Sequence, residues 1–175
     1  MSATEFSHLV TLAEAGQGRC IAIEADAAAR TRIATRLGLV ALDRFALTAD
    51  VRAVAGGIAA TGAVEADVVQ SCAATDLPVP ATLREAFDLR FLREVETGDA
   101  ADEEIEISGE DCDILPLDGD RIDLGEAAVQ TLSLALDPFP RHPDADRILA
   151  EKGVLSEEQA GPFAALARLR SKPDA

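Results

Sequence analysis

The chain has 175 residues, 48% of them apolar, which is enough for one domain with a packed core. It carries a formal net charge of −16 and contains neither Trp nor Tyr, so the core must rest on Leu, Val, Ile and six Phe. The opening MSATEFSHLV lacks the basic and apolar regions of a secretory signal, and no window approaches the roughly 18 apolar residues of a membrane span.

The charge is unevenly spread. Met1–Arg93 holds 9 basic and 11 acidic residues, whereas Glu94–Ala175 holds 7 basic and 21 acidic. Glu94–Asp113 alone has ten acidic residues and no basic one. This pattern excludes a basic nucleic-acid domain, and no DNA partner is expected. The rest of the chain is close enough to balance to allow contact with RNA. The three cysteines, Cys20, Cys72 and Cys112, fit neither a disulfide framework nor a CxxC zinc pattern, and a reducing cytoplasm is the expected location.

In chain order, Glu5–Leu12 and Arg19–Ala25 read as short strands around Ala15-Gly16-Gln17-Gly18, with Ile21 and Ile23 on the inner face of the second. Asp26 is placed to cap a helix over Ala27–Leu37, with Ile33 and Leu37 one turn apart and Gly38 at its end. A long hairpin follows. Phe45, Leu47, Ala49 and Val51 alternate with polar residues in its first arm. Ile58, Ala60, Val64, Ala66 and Val68 share a face of the second, and Ala55-Gly56-Gly57 makes the turn. Ala73–Pro80 is a break, since Pro78 and Pro80 cannot donate to a ladder. A third alternating run carries Leu83, Phe87, Leu89 and Phe91.

The acidic stretch at about 94–113 is expected to be a solvated loop, because low hydrophobicity with high charge resists folding. Ile114, Leu115 and Leu117 add a short strand. Asp123-Leu124-Gly125-Glu126 fits a capping box opening a helix to Leu136, with Leu124, Ala128, Leu132 and Leu136 on one stripe. Asp137-Pro138-Phe139-Pro140 stops it. Residues at about 141–161 show no strong pattern and read as loosely ordered, before a last short helix over Pro162–Leu169. The expected fold is α+β, a single domain over residues 1–175. A mainly antiparallel sheet, extended or partly closed by the N-terminal pair, packs with two main helices and a short C-terminal helix.

Candidate chemistry is sparse. His8 and His142 sit in no nucleophile or metal motif, there is no Walker loop or GxGxxG, and Gly56-Gly57 is a turn. Asp99, Asp102, Glu104 and Glu106 lack the spacing of a calcium loop. Cys72 alone reads as a small packed side chain. No catalytic residue, metal or cofactor is expected. The C-terminal end is the most suggestive region. Phe163, Leu166 and Leu169 suit a partner's groove, with Arg168, Arg170 and Lys172 near phosphates; a helix ending in cations that suit its own dipole is the plainer alternative. Phe139 and Arg141 join them as candidates for partner or RNA contact.

Three stretches carry a family likeness. They are Val69-Gln70-Ser71-Cys72 at a strand end, Ile122-Asp123-Leu124-Gly125-Glu126 running into Leu134-Ala135-Leu136-Asp137-Pro138-Phe139-Pro140, and Pro162-Phe163-Ala164-Ala165-Leu166-Ala167-Arg168-Leu169. In this order they resemble the YceD family of large ribosomal RNA subunit accumulation proteins, over nearly the whole chain. The resemblance implies a role in synthesis, processing or stability of large-subunit ribosomal RNA, with a ribosome-assembly protein or that RNA as partner. It supplies no catalytic residue. Many members of the family carry Cys-x-x-Cys at the strand end; here the first position is Val69, so Cys72 cannot form that pair. A small-molecule or metal-binding protein using a cavity in the sheet is the alternative reading, and the residues do not fix the oligomeric state.

Overall fold

The computed structural model describes residues 5–93, 113–117 and 119–154. The chain divides into two compact units: Met1–Gln70 with Pro80–Asp137, and Ser71–Val79 with Pro138–Ala175. The fold is α+β, as the sequence predicts. In the first unit an open sheet has the order β2 (Arg19–Glu24), β3 (Ala41–Val54), β4 (Gly57–Ser71), β5 (Pro78–Leu92), β6 (Asp113–Pro116).

The alternation seen in the sequence sets the buried face. In the antiparallel β3–β4 hairpin, Phe45 lies opposite Ala66, Leu47 opposite Val64 and Val51 opposite Ala60, and all six are buried. β2 adds to β3 with Ile21 opposite Ala49 and Ile23 opposite Leu47. Asp67 meets Thr82 and Glu65 meets Arg84, so β4 and β5 run in opposite directions. Phe87, Leu89 and Phe91 carry the buried face onto β5. β6 pairs with β5 in parallel, Leu89 opposite Asp113, which requires a crossover connection. β5 starts at Pro78, earlier than the predicted break allows. Among the described residues β5 has a neighbour on its outer side only from Leu89 on, so both prolines fall where an edge is open.

The N-terminal stretch departs from expectation. The predicted strand Glu5–Leu12 shortens to β1 (Leu9–Thr11) and pairs with β7 (Arg121–Asp123), not with β2. The cause is local. Thr11 and Glu14 form a capping box that turns the chain into α1 (Leu12–Ala15) before a hairpin can close. The N-terminal pair therefore does not close the sheet, which stays open.

α2 (Ala27–Leu37) forms as read: Asp26 Oδ1 accepts from the Ala29 N–H at 2.7 Å, Ile33 is fully buried, and Gly38 ends the helix at φ +66°. α3 (Leu124–Ala135) buries Leu124, Ala128 and Leu132, with Leu136 half-buried at its C-cap. Asp123 caps it, but the capping box does not close. Glu126 turns to Arg36 instead, in a two-pronged pair at 2.7 and 2.8 Å. Asp123 also takes the Ser7 hydroxyl and the His8 N–H, and so fastens the N-terminal segment to the helix start. Gly125 makes that approach possible, since a Cβ there would lie 2.6 Å from the Phe6 carbonyl oxygen.

In the second unit, α4 (Ala145–Glu151) occupies part of the stretch expected to be loosely ordered. Its apolar stripe is weak. Arg147, between Asp144 at 3.4 Å and Glu151 at 2.9 Å, supplies the support that the apolar pattern does not reveal.

Candidate functional site

The second unit is built on Cys72. β4 ends at Ser71 and the chain turns at once: the Cys72 carbonyl accepts from the Asp76 N–H at 3.0 Å, and the Cys72 N–H donates to Leu77 at 2.8 Å. Asp76 absorbs the reversal at φ +59°, a conformation its short polar side chain tolerates. This turn grips the proline segment twice. The Ala73 N–H donates to the Pro140 carbonyl at 2.8 Å, and the His142 N–H donates to Cys72 Sγ at 3.3 Å.

Cys72 is only 1% exposed. The N–H of His142 is the main influence that draws its thiol down from the ordinary 9.0 to about 7. The Thr75 hydroxyl, itself buried, pushes the same way. An N–H directed at sulfur favours the thiolate, as a second cysteine or a cation would. Burial withholds that sulfur from solvent reagents, so its evident task is to anchor the segment at 140–142. His142 is engaged as well, since its Nδ1 accepts from the Asp144 N–H at 3.1 Å. The packed Cys72 agrees with the sequence reading; its partner, an amide 70 residues away, has no local signal.

The anchor explains the placement of two predicted contact residues. Pro140 is buried with its carbonyl held. On either side of it Phe139 and Arg141 are exposed, Phe139 by 76%. Arg141 pairs with Asp146 on α4. The result is an aromatic ring and a guanidinium displayed on either side of one fixed proline. Such a pair can stack on or pack against a partner while the cation meets a carboxylate or phosphate. Phe163, Leu166, Arg168, Arg170 and Lys172, with the predicted helix Pro162–Leu169, lie outside the described residues, as does the acidic stretch up to Cys112.

Among the described residues no group of three or more His, Cys, Asp or Glu is placed to hold a metal ion. None of the described helices is long and apolar enough to cross a membrane. The inner face of the sheet is filled by Phe45, Leu47, Val51, Ile58, Val64 and Val68.

A fold of this kind, an open sheet with capping helices and a turn-and-proline clasp, defines a small α+β protein rather than an activity. Residues 60–170 match the family described as Large ribosomal RNA subunit accumulation protein YceD, and the chain belongs to that family. The matched stretch takes in Cys72, the α3 cap at Asp123–Glu126 and the Phe139–His142 segment. No curated protein and no solved structure matches the chain.

Proposed function

We propose that the protein is a non-catalytic ribosome-biogenesis factor of the cytoplasm, which supports synthesis, processing or stability of large-subunit ribosomal RNA by binding. The match to the YceD family over residues 60–170 carries this reading. The geometry favours binding over chemistry, because the activated thiol of Cys72 is buried and spent on an amide.

Charge favours a protein partner over a direct tight grip on RNA. A net −16 opposes the polyanion, and Arg36, Arg44, Arg84 and Arg147 are each paired with carboxylates. Contact through Phe139 and Arg141, with the C-terminal Phe163, Leu166, Arg168, Arg170 and Lys172, is the proposed means of docking. Crosslinking in cells with readout of both protein and RNA tests this. The expected result is an assembly protein as the dominant adduct, lost on replacing Phe139 and Phe163 by Ala. Normal levels of large-subunit RNA in cells lacking the protein would overturn the role. Nanomolar binding of bare ribosomal RNA with a steep salt slope would overturn the choice of partner.

A further inference from the structure

Among the described residues, the outer side of β5 carries only the short strand β6, the last in the sheet order. β6 covers it only over Leu89–Leu92. Pro78 and Pro80 blunt the far end, because neither can donate to an added strand. Between these limits, among the described residues, no strand pairs with the outer side of β5 around Thr82–Asp88. Alongside runs a groove of about 340 Å³. Its floor includes Phe87 and Leu89 from the buried face of β5, and its far wall is α3, where Leu134 is 87% exposed. Glu85, Asp88 and Asp113 complete the lining.

We propose that this groove is a docking site for an extended, lysine- or arginine-rich peptide segment of a partner protein, added as a strand beside β5. The open edge supplies main-chain hydrogen bonds. The pleat sends alternate side chains of the added strand into the groove, against Phe87 and Leu134. The same side chains meet carboxylates there, since Glu85 shares the face of Phe87 and Asp113 lies opposite Leu89, while those between them pass Asp88 on the other face; on that face Arg84 is turned to Glu65 of β4. A basic segment is therefore the complementary occupant. A second copy of this chain is disfavoured, since two bodies of charge −16 repel. The inference goes beyond the ribosomal reading and does not rest on it.

The test uses the full chain and a fluorescein-labelled peptide, Lys-Val-Lys-Val-Lys-Val-Lys, followed by anisotropy. Saturable one-to-one binding is expected, with amide shifts confined to Glu85–Leu89 and α3. Leu134→Lys and Glu85→Lys, both at exposed positions and checked for folding by circular dichroism, should each weaken binding about tenfold. A peptide N-methylated at alternate backbone nitrogens should lose binding, because it cannot pair with an edge. Absence of binding, or equal binding by the two variants, overturns the proposal. Equal binding of the N-methylated peptide reduces the contact to charge alone and also overturns it. Self-association in sedimentation that Leu134→Lys abolishes would make a second copy the occupant instead.

Discussion

The two units are held together by different means. In the first, six buried side chains of the β3–β4 hairpin interlock, and Phe6 meets Phe45 edge-on with ring centroids 5.4 Å apart. In the second, a turn and a proline segment are joined by one amide-to-carbonyl bond and one amide-to-sulfur bond. Interlocked apolar surface loses several kcal/mol when one side chain is cut back, whereas a hydrogen-bonded clasp loses about one. The comparison assigns global stability to the first unit. It leaves the second as a local structure whose order can be changed without unfolding the whole.

The largest effect is expected from Phe45→Ala, which removes a fully buried ring and its contact with Phe6. It should cost about 4 kcal/mol, read as a shift in the urea midpoint. A loss under about 1 kcal/mol would show that the hairpin core is loosely packed and would break the comparison. Gly125→Ala comes next. The added methyl would meet the Phe6 carbonyl oxygen at 2.6 Å and the His8 nitrogen at 2.9 Å. Backbone cannot swing aside as a side chain can, so a cost of about 2 kcal/mol is expected in thermal melts. A neutral outcome would mean that the N-terminal segment is not fastened to α3.

These two positions also mark what the sequence makes legible. Phe45, Ile33 and the Leu124–Leu132 stripe are plain from period alone, because burial of one face repeats every two residues in a strand and every three or four in a helix. Asp26, Gly38 and Asp123 are plain from capping chemistry. Gly125 is visible as a family motif, but its reason is not: the backbone that excludes a Cβ comes from Phe6, 119 positions away in the chain. The same holds for β1. It is legible as a strand, yet its partner β7 goes with the Asp123 carboxylate that gathers Ser7 and His8. At the candidate site, Cys72 reads correctly as packed, whereas the exposure of Phe139 and Arg141 is given by the structure alone. The Cys72–His142 link joining them is long-range and leaves no periodic trace.

Cys72→Ala tests the weaker unit. The His142 amide would lose its acceptor, at a cost of about 1 kcal/mol, felt locally. Hydrogen exchange should accelerate at Ala73 and His142 while the β3–β4 ladder keeps its protection. Equal acceleration in both would merge the two units into one cooperative body. The sign of the pH effect follows from the thiol. Its value in the fold is about 7 against an ordinary 9.0, so the thiolate favours the folded turn. That contribution is fully present above about 9 and is lost as pH falls through about 7, and the gap between parent and variant should widen with rising pH across this window.

The smallest effect belongs to Glu126→Gln, which cuts the Arg36 pair on the first unit's surface. The guanidinium of Arg36 holds the Glu126 carboxyl below its ordinary 4.5. Its stabilisation is therefore complete above about pH 4.5 and lost as the carboxyl protonates at lower pH. Both groups are partly exposed, at 37% and 26%, so solvent screening keeps the loss below about 1 kcal/mol. The melting difference between Glu126→Gln and the parent should vanish in acid and shrink in high salt. A difference of several kcal/mol that ignores salt would show that this ion pair, rather than apolar interlocking, fastens α2 to α3. Stability in the first unit would then be of the same polar kind as the clasp in the second, and the contrast between them would fail.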